Sequence, residues 1–562
     1  MRALDRAPLV LLLLGVAGCS GVIGDKDYTE PGVDGRTPPV PGEEFRCRED
    51  VAPPPPLVRR LTREEYVGAI RRLTGVGPTA TALELLPADP ATQTGFSNLA
   101  TLLNVQDVHA RAYRQVAFET VRALPDPDAF IASHAACRTG ADCFEGYVES
   151  LGLDAFGSPL EAEERTAFMA LLSDAEERGE GFEEAAMDAL EVALQSPRFL
   201  YHFVPDLGDG DTRPLTALEL AQRLAFLVTG EAADPVLRDA AIAGELETDR
   251  EIAAAVDRLL TLPQAREASH RYVRDWLDLD ALEELSRDEE HFPEWTPTLG
   301  PAMRAETLAF FDRLTWDEGA SLARLFDAQF TIVTPELAAH YGMSEPDADG
   351  HVELGDDPTR GGLLTHGGVL ALMGGAEAST VTRGLAFSAL ITCGAKIPEP
   401  PATVSTDQPP PSPGRSRRDY SEDRVRNPEC TGCHSSFEPP IWGLIRYDAT
   451  GRYSEVDEAG NFLPENGFVR FVDGTEHEYQ TPMELGQVLA EADRVRECMV
   501  LNVTSYAIRR AIHRADGCSL QQIRDGFVDS DQTYRDLLVR IALSPVFRTV
   551  GTEPAEATED DR

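Results

Sequence analysis

Asn427-Pro428-Glu429-Cys430-Thr431-Gly432-Cys433-His434 decides how this chain is read. It contains Cys-x-x-Cys-His, the sequence form of covalent c-type haem attachment. Two thiols one short turn apart are placed to add to the two vinyl groups on one porphyrin edge. The adjacent histidine then lies under the ring with an imidazole nitrogen available to iron. Thr431 and Gly432 are small, so the loop can press against a macrocycle. The pattern predicts covalent haem c, with Cys430 and Cys433 as attachment points and His434 as proximal iron ligand. A zinc knuckle would need a second ligand pair at recognisable spacing, and none is near. A redox Cys-x-x-Cys would want a helix N-terminus after a strand, which Pro439-Pro440 makes poor.

Composition bounds the rest. With 562 residues the chain can hold several cores, a length suggesting about three or four domains. Acidic residues outnumber basic ones 96 to 51, and the formal net charge of −45 excludes nucleic acid as a natural partner. Residues 1–19 read as an export signal: Met1-Arg2 and Arg6 are basic, Leu9–Leu14 is a short apolar run, and Val16-Ala17-Gly18-Cys19 is a small-residue site ending in cysteine. This resembles a bacterial lipoprotein signal, which implies lipidation of Cys19. The chain is thus expected as a periplasmic or cell-surface lipoprotein, held to a membrane by its N-terminal lipid. Ser20 leans towards the outer membrane.

Export also sets the cysteine chemistry. Of nine cysteines, Cys47, Cys137, Cys143, Cys393, Cys498 and Cys518 remain after lipid and haem are assigned, an even number in an oxidising compartment. Connectivity among six is open from sequence. The expected pairings are Cys137 with Cys143, Cys498 with Cys518, and Cys47 with Cys393.

Along the chain, residues 20–57, rich in Gly and Pro and ending in Pro53–Pro56, read as a tether. An N-terminal helical domain (58–205) opens at a capping box of Thr62 with Glu65, followed by Tyr66, Ile70 and Leu73 on one face and stopped by Gly75. The helix over Phe182–Phe199 should end at Ser196-Pro197. A second helical domain (206–345) starts at Thr216 with Glu219 and runs through Leu220, Leu224 and Leu227; Trp276, Trp295 and Trp316 are its expected core anchors. Residues 346–398 are Gly-rich, with a short helix at Thr382–Cys393, and 399–418 form a Pro-rich linker. The haem segment (419–475) carries a hairpin within Tyr453–Val472, turning at Asp457–Asn461. A C-terminal domain (476–550) holds two or three helices, and an acidic tail (551–562) closes the chain. The fold class is mainly α: a multidomain helical body with a small cytochrome-c-like segment and minor β hairpins.

These stretches, taken in order, resemble the exported planctomycete-type cytochrome c family, built from tandem domains of unknown function. The resemblance rests on Leu61–Tyr66, Ser196–Tyr201, Leu215–Leu227, Arg360–Leu364, Arg383-Gly384 leading to Cys393 and a proline run, Cys430–Arg452 and Ser544-Pro545-x-Phe547. It implies haem attachment more firmly than any reaction. One departure stands out: the family commonly reads Cys-x-x-Cys-His-x-x-Met-Asp-Pro, where this chain has Phe437-Glu438-Pro439. The sixth iron position stays open between Met483, Met499, His477 and none of them. His366 could reach the haem edge and Arg383 a propionate, although a loop histidine and an ordinary salt bridge are the plainer readings. The sequence thus supports electron transfer or another haem-dependent redox role, with a redox partner protein or small-molecule substrate unidentified; an oxidoreductase remains open. The alternative is a cell-surface binding or degradation module, associated with polysaccharide, in which haem is auxiliary or absent.

Overall fold

The structure is a computed structural model and describes residues 41–49, 51, 54, 58–90, 96–202, 212–398, 400 and 409–551. The export signal with Cys19, most of the tether, much of the Pro-rich linker and the acidic tail beyond 551 lie outside the described residues. The protein is mainly helical, 57% helix and 6% strand, and its strands form small two-stranded sheets.

The first helix is Arg63–Thr74. The Thr62 hydroxyl accepts from the Glu65 amide (3.2 Å), and the Glu65 carboxylate accepts from the Thr62 amide (2.9 Å). Gly75, at φ 74°, takes the left-handed turn that ends the helix. Glu65 also binds buried Arg59 at 2.7 Å, so one carboxylate caps a helix and neutralises a cation. Helices Asp107–Arg122, Ala141–Phe156, Ala162–Glu177 and Phe182–Gln195 pack around a core of their own. Phe182–Gln195 approaches closely because Ala185, Ala186, Ala189 and Ala193 line its wholly buried face. It ends at Ser196, and a short turn, Pro197–Leu200, leads into strand Tyr201–His202, which pairs antiparallel with Arg59–Arg60.

A second and larger core draws on residues from Leu220 to Phe547 together with Phe45 and Phe96 from earlier in the chain. Helix Ala217–Val228 starts at the Thr216–Glu219 capping box. Trp276 is buried, while Trp295 and Trp316 pack on the core partly exposed. Strand Thr212–Pro214 pairs with Thr549–Gly551, joining the two ends of this body. Between it and the N-terminal helices lies a cavity of about 1550 Å³. The C-terminal part holds more helices than expected: Pro482–Glu491, Asp493–Ile508, Gly517–Val528, Tyr534–Leu543 and the turn Pro545–Arg548. The hairpin is displaced from its expected place. Gly467–Arg470 pairs with Glu476–Tyr479 across Asp473-Gly474, whereas Val456 and Phe462 make only an isolated bridge over the Asp457–Asn461 turn.

Among the described cysteines six form three disulfides, leaving Cys430 and Cys433 as free thiols. Cys137 bonds Cys143 as expected. The other two pairings are corrected to Cys47–Cys518 and Cys393–Cys498. Cys498 lies inside helix Asp493–Ile508, on the side that meets the end of helix Thr380–Leu390, so Cys393 is its neighbour. Cys518 begins helix Gly517–Val528, over which residues 44–47 are laid. A Cβ on Gly517 would fall 2.1 Å from the Arg46 carbonyl oxygen, and Glu44 binds buried Arg494 at 2.8 Å.

The haem-motif segment is seated on the body through its own carbonyls. Arg383 donates to Leu444 (2.6 Å), Tyr447 (3.1 Å) and Leu370 (3.3 Å). Arg287 donates to Ala449 (2.9 Å), His340 Nε2 to Thr450 (2.9 Å), and Arg360 to Gly451. Replacing Cys47 and Cys518 together by Ser should lower stability by about 4 kcal/mol, because the bridge restricts a very long loop in the unfolded chain. Denaturant unfolding of the double variant beside the parent, both non-reduced, measures this.

Candidate functional site

Cys430 caps the helix Thr431–Phe437, which carries Cys433 and His434. It packs between helices Arg417–Arg426 and Thr380–Leu390. The first of these was not foreseen: residues 417–426 contain only Tyr420 and Val425 as large apolar side chains, so no amphipathic stripe marks them. A local signal existed in Ser416-x-x-Asp419, a capping box that the structure forms at Ser416. Gly384 sits against the motif helix so closely that a Cβ there would lie 2.4 Å from the Phe437 carbonyl oxygen.

His434 and Glu438 are four residues apart and share one helical face. His434 Nδ1 lies 2.6 Å from Glu438 Oε1. An ionised carboxylate only accepts, so Nδ1 carries the proton and Nε2 is left with its lone pair. Glu438 is wholly buried and fully engaged. Arg424 Nε donates to Oε1 and Nη2 to Oε2, both at 2.7 Å; Thr380 Oγ1 donates to Oε2 at 2.9 Å, and Ser421 Oγ joins the same oxygen. Trp442 Nε1 in turn donates to Ser421 Oγ at 2.8 Å. Burial alone would raise the Glu438 pKa, but the hydrogen bonds from Arg424 and His434 and the Arg424 charge outweigh it and hold it at about 2.

The residues fit a covalent porphyrin. The thiols of Cys430 and Cys433 are free and half-buried, and a Cβ added at Gly432 would meet nothing within 4 Å, so the motif faces open space. The imidazole is turned to present Nε2, and a carboxylate behind a ligating histidine is how proteins fix its tautomer and raise its basicity. Among the described residues no group of three or more His, Cys, Asp or Glu is gathered for a metal ion.

Other sequence candidates are accounted for elsewhere. Arg383 is 1% exposed, with both terminal nitrogens on backbone carbonyls and its Nε buried without a partner, so it does not reach the surface where a propionate would lie. His366 is buried against Phe310, its Nδ1 3.2 Å from Thr307 Oγ1. Met483 is packed at Gly361, where a Cβ would fall 2.5 Å from its sulfur. Met499 belongs to the main core. His477 lies on the exposed strand Glu476–Tyr479, against Phe471. Phe437, at the family's methionine position, is buried with its ring 5.0 Å from that of His434. The departure there changes a core side chain rather than one on the open face. What sequence reasoning missed is Glu438, whose i,i+4 spacing from His434 was the available signal.

Five family models match the chain, each described as a protein of unknown function. In chain order they are DUF1587 at residues 59–124, DUF1595 at 143–203, DUF1592 at 215–343, DUF1588 at 360–457 and DUF1585 at 475–547. All five are planctomycete cytochrome c-associated domains, and the Cys430–His434 motif falls inside the DUF1588 match. No curated protein and no solved structure matches the chain.

The Glu438 carboxylate should show in acid titration of the protein. Its pKa is depressed from an ordinary 4.5 to about 2, so the stability it contributes is complete above pH 4.5 and is lost as pH falls through 2. Glu438→Ala should remove it at neutral pH, costing about 3 kcal/mol by leaving Arg424 without its partner. Unfolding measured against pH for both proteins checks this: the parent's acid slope should be shallower in the variant.

Proposed function

We propose that this chain carries one haem covalently bound through Cys430 and Cys433, with His434 Nε2 as proximal ligand, and that it transfers electrons in the bacterial envelope. The five cytochrome c-associated domain matches support a cytochrome-c-related role. The single observation that carries the finer reading is the Glu438–His434 hydrogen bond, which occupies Nδ1 and leaves Nε2 as the ring nitrogen available to iron, on the same motif as the only two free thiols among the described cysteines. When bound, the haem would supply a one-electron iron couple. The chain's own residues do the rest. Glu438 holds the Nδ1 proton and makes Nε2 a stronger donor, while Arg424, Thr380 and Ser421 keep the carboxylate from rotating. Attachment at a half-exposed helix leaves an edge open for exchange with a redox partner protein or a small-molecule substrate. Lipidation of Cys19 would keep the body at a membrane surface outside the cytoplasm, with the outer membrane favoured.

The second reading, a surface binding module in which haem is auxiliary or absent, draws on the large cavity between the N-terminal helices and the main body. Protein made with haem-maturation machinery separates the two. The first expects a pyridine haemochrome and an intact mass increased by one porphyrin, both lost in Cys430→Ala. Folded but colourless parent protein would reject it. A further expected outcome concerns Glu438→Gln, which removes negative charge behind the imidazole. It should raise the reduction potential in a spectroelectrochemical titration while haem remains attached.

A further inference from the structure

The cavity between the N-terminal helices and the main body runs against the charge of the molecule. Among the described residues that line it, six arginines face three carboxylates, in a chain whose formal net charge is −45. Two of those carboxylates are already committed: Glu219 binds Arg213 at 2.8 Å, and Asp516 binds Arg510 at 2.7 Å, while Arg198 is paired with Glu164 outside the lining. Behind the wall, Glu65 alone serves both Arg59 and Arg509. Arg59 is 2% exposed, and its Nε and Nη2 have no hydrogen-bond partner among the described residues. Among the described residues Arg223 makes no ion pair. Its Nη1 donates to the carbonyls of Phe547 (2.7 Å) and Thr549 (3.3 Å), and burial, with Arg510 and Arg59 nearby, lowers its pKa to about 10. His202 stands on Phe226, with ring centroids 4.1 Å apart, and its Nε2 lies 3.0 Å from Arg509 Nη1. That contact requires Nε2 to accept, so the imidazole is neutral and offers no compensating charge of either sign.

Uncompensated guanidinium in a half-buried site is costly, and an anion relieves it. The remaining wall is apolar, with Leu61, Phe199, Phe226 and Val546 among its residues. An inorganic anion would satisfy the arginines and leave that wall wet; a neutral lipid would do the reverse. We propose that the cavity binds an amphipathic carboxylate, its head on Arg223 in the field of Arg59 and Arg509, its hydrocarbon along the apolar wall. Guanidinium and carboxylate match in plane and in spacing, which favours this head group. The volume exceeds that of a usual small-ligand pocket, leaving room for a long chain. None of the residues around Cys430–Glu438 lines the cavity, so the site is independent of haem.

Calorimetric titration of the full-length protein with laurate below its micelle concentration, dodecanol and inorganic phosphate tests the assignment. Laurate should bind at least about 10-fold more tightly than dodecanol, and phosphate should not saturate, because head and tail both contribute. Arg223→Gln should cost laurate about 10-fold and leave dodecanol unchanged. Ile242→Glu supplies a variant that does not touch the core: Ile242 lines the cavity at 60% exposure, and an added negative charge there should weaken laurate alone. Equal binding of laurate and dodecanol would overturn the proposal in favour of a merely apolar cavity. Phosphate binding as tight as laurate would overturn it in favour of an inorganic anion site. Absence of laurate binding, or laurate binding indifferent to both substitutions, would also end it.

Discussion

Backbone carbonyls buried without donors are expensive, and residues 444–451 carry several of them into the interior. Arg287, Arg360, Arg383 and His340 supply the missing donors from the body. These four side chains come from separate stretches of the sequence, so the loop is held only when the body around it is folded. Here the arginines work as hydrogen-bonding scaffolding rather than as ligand contacts. Burial even lowers the Arg383 pKa to about 10, with Arg417 adding to the effect.

Glu438 is the joint between this scaffold and the motif. One oxygen faces His434 and Arg424; the other faces Arg424, Thr380 and Ser421. The imidazole is therefore aimed by a group that two neighbouring helices fix, rather than by the short motif helix alone. Such rigidity at the base of a ligating side chain is what a site needs if its geometry is to survive changes of charge at the metal.

Much of the fold was legible because the signals were local. Thr62 with Glu65, Thr216 with Glu219, Gly75 and Ser196-Pro197 mark helix ends through contacts within one turn, and the structure forms them as read. The cysteines divided as expected into six paired and two free, but their connectivity depended on which helices pack together. Helix Arg417–Arg426 escaped because Tyr420 and Val425 alone set no apolar period. The hairpin slipped because Glu476–Tyr479 is a polar edge strand; Asp473-Gly474, a strong turn signal, was the better guide. At the site, the motif residues stood out while their support did not. Arg383 and Glu438 are both charged residues near a motif, and burial alone decides that one braces the backbone and the other the histidine.

The Cys47–Cys518 bond spans a sequence separation of 471, so almost the whole body lies within one covalent ring. A protease that severs a single exposed loop inside the ring opens a circle without releasing a piece. The two new ends stay on one molecule, at an effective concentration that only reduction can dilute. For a body held outside the cytoplasm, as proposed above, that would make a first cut survivable.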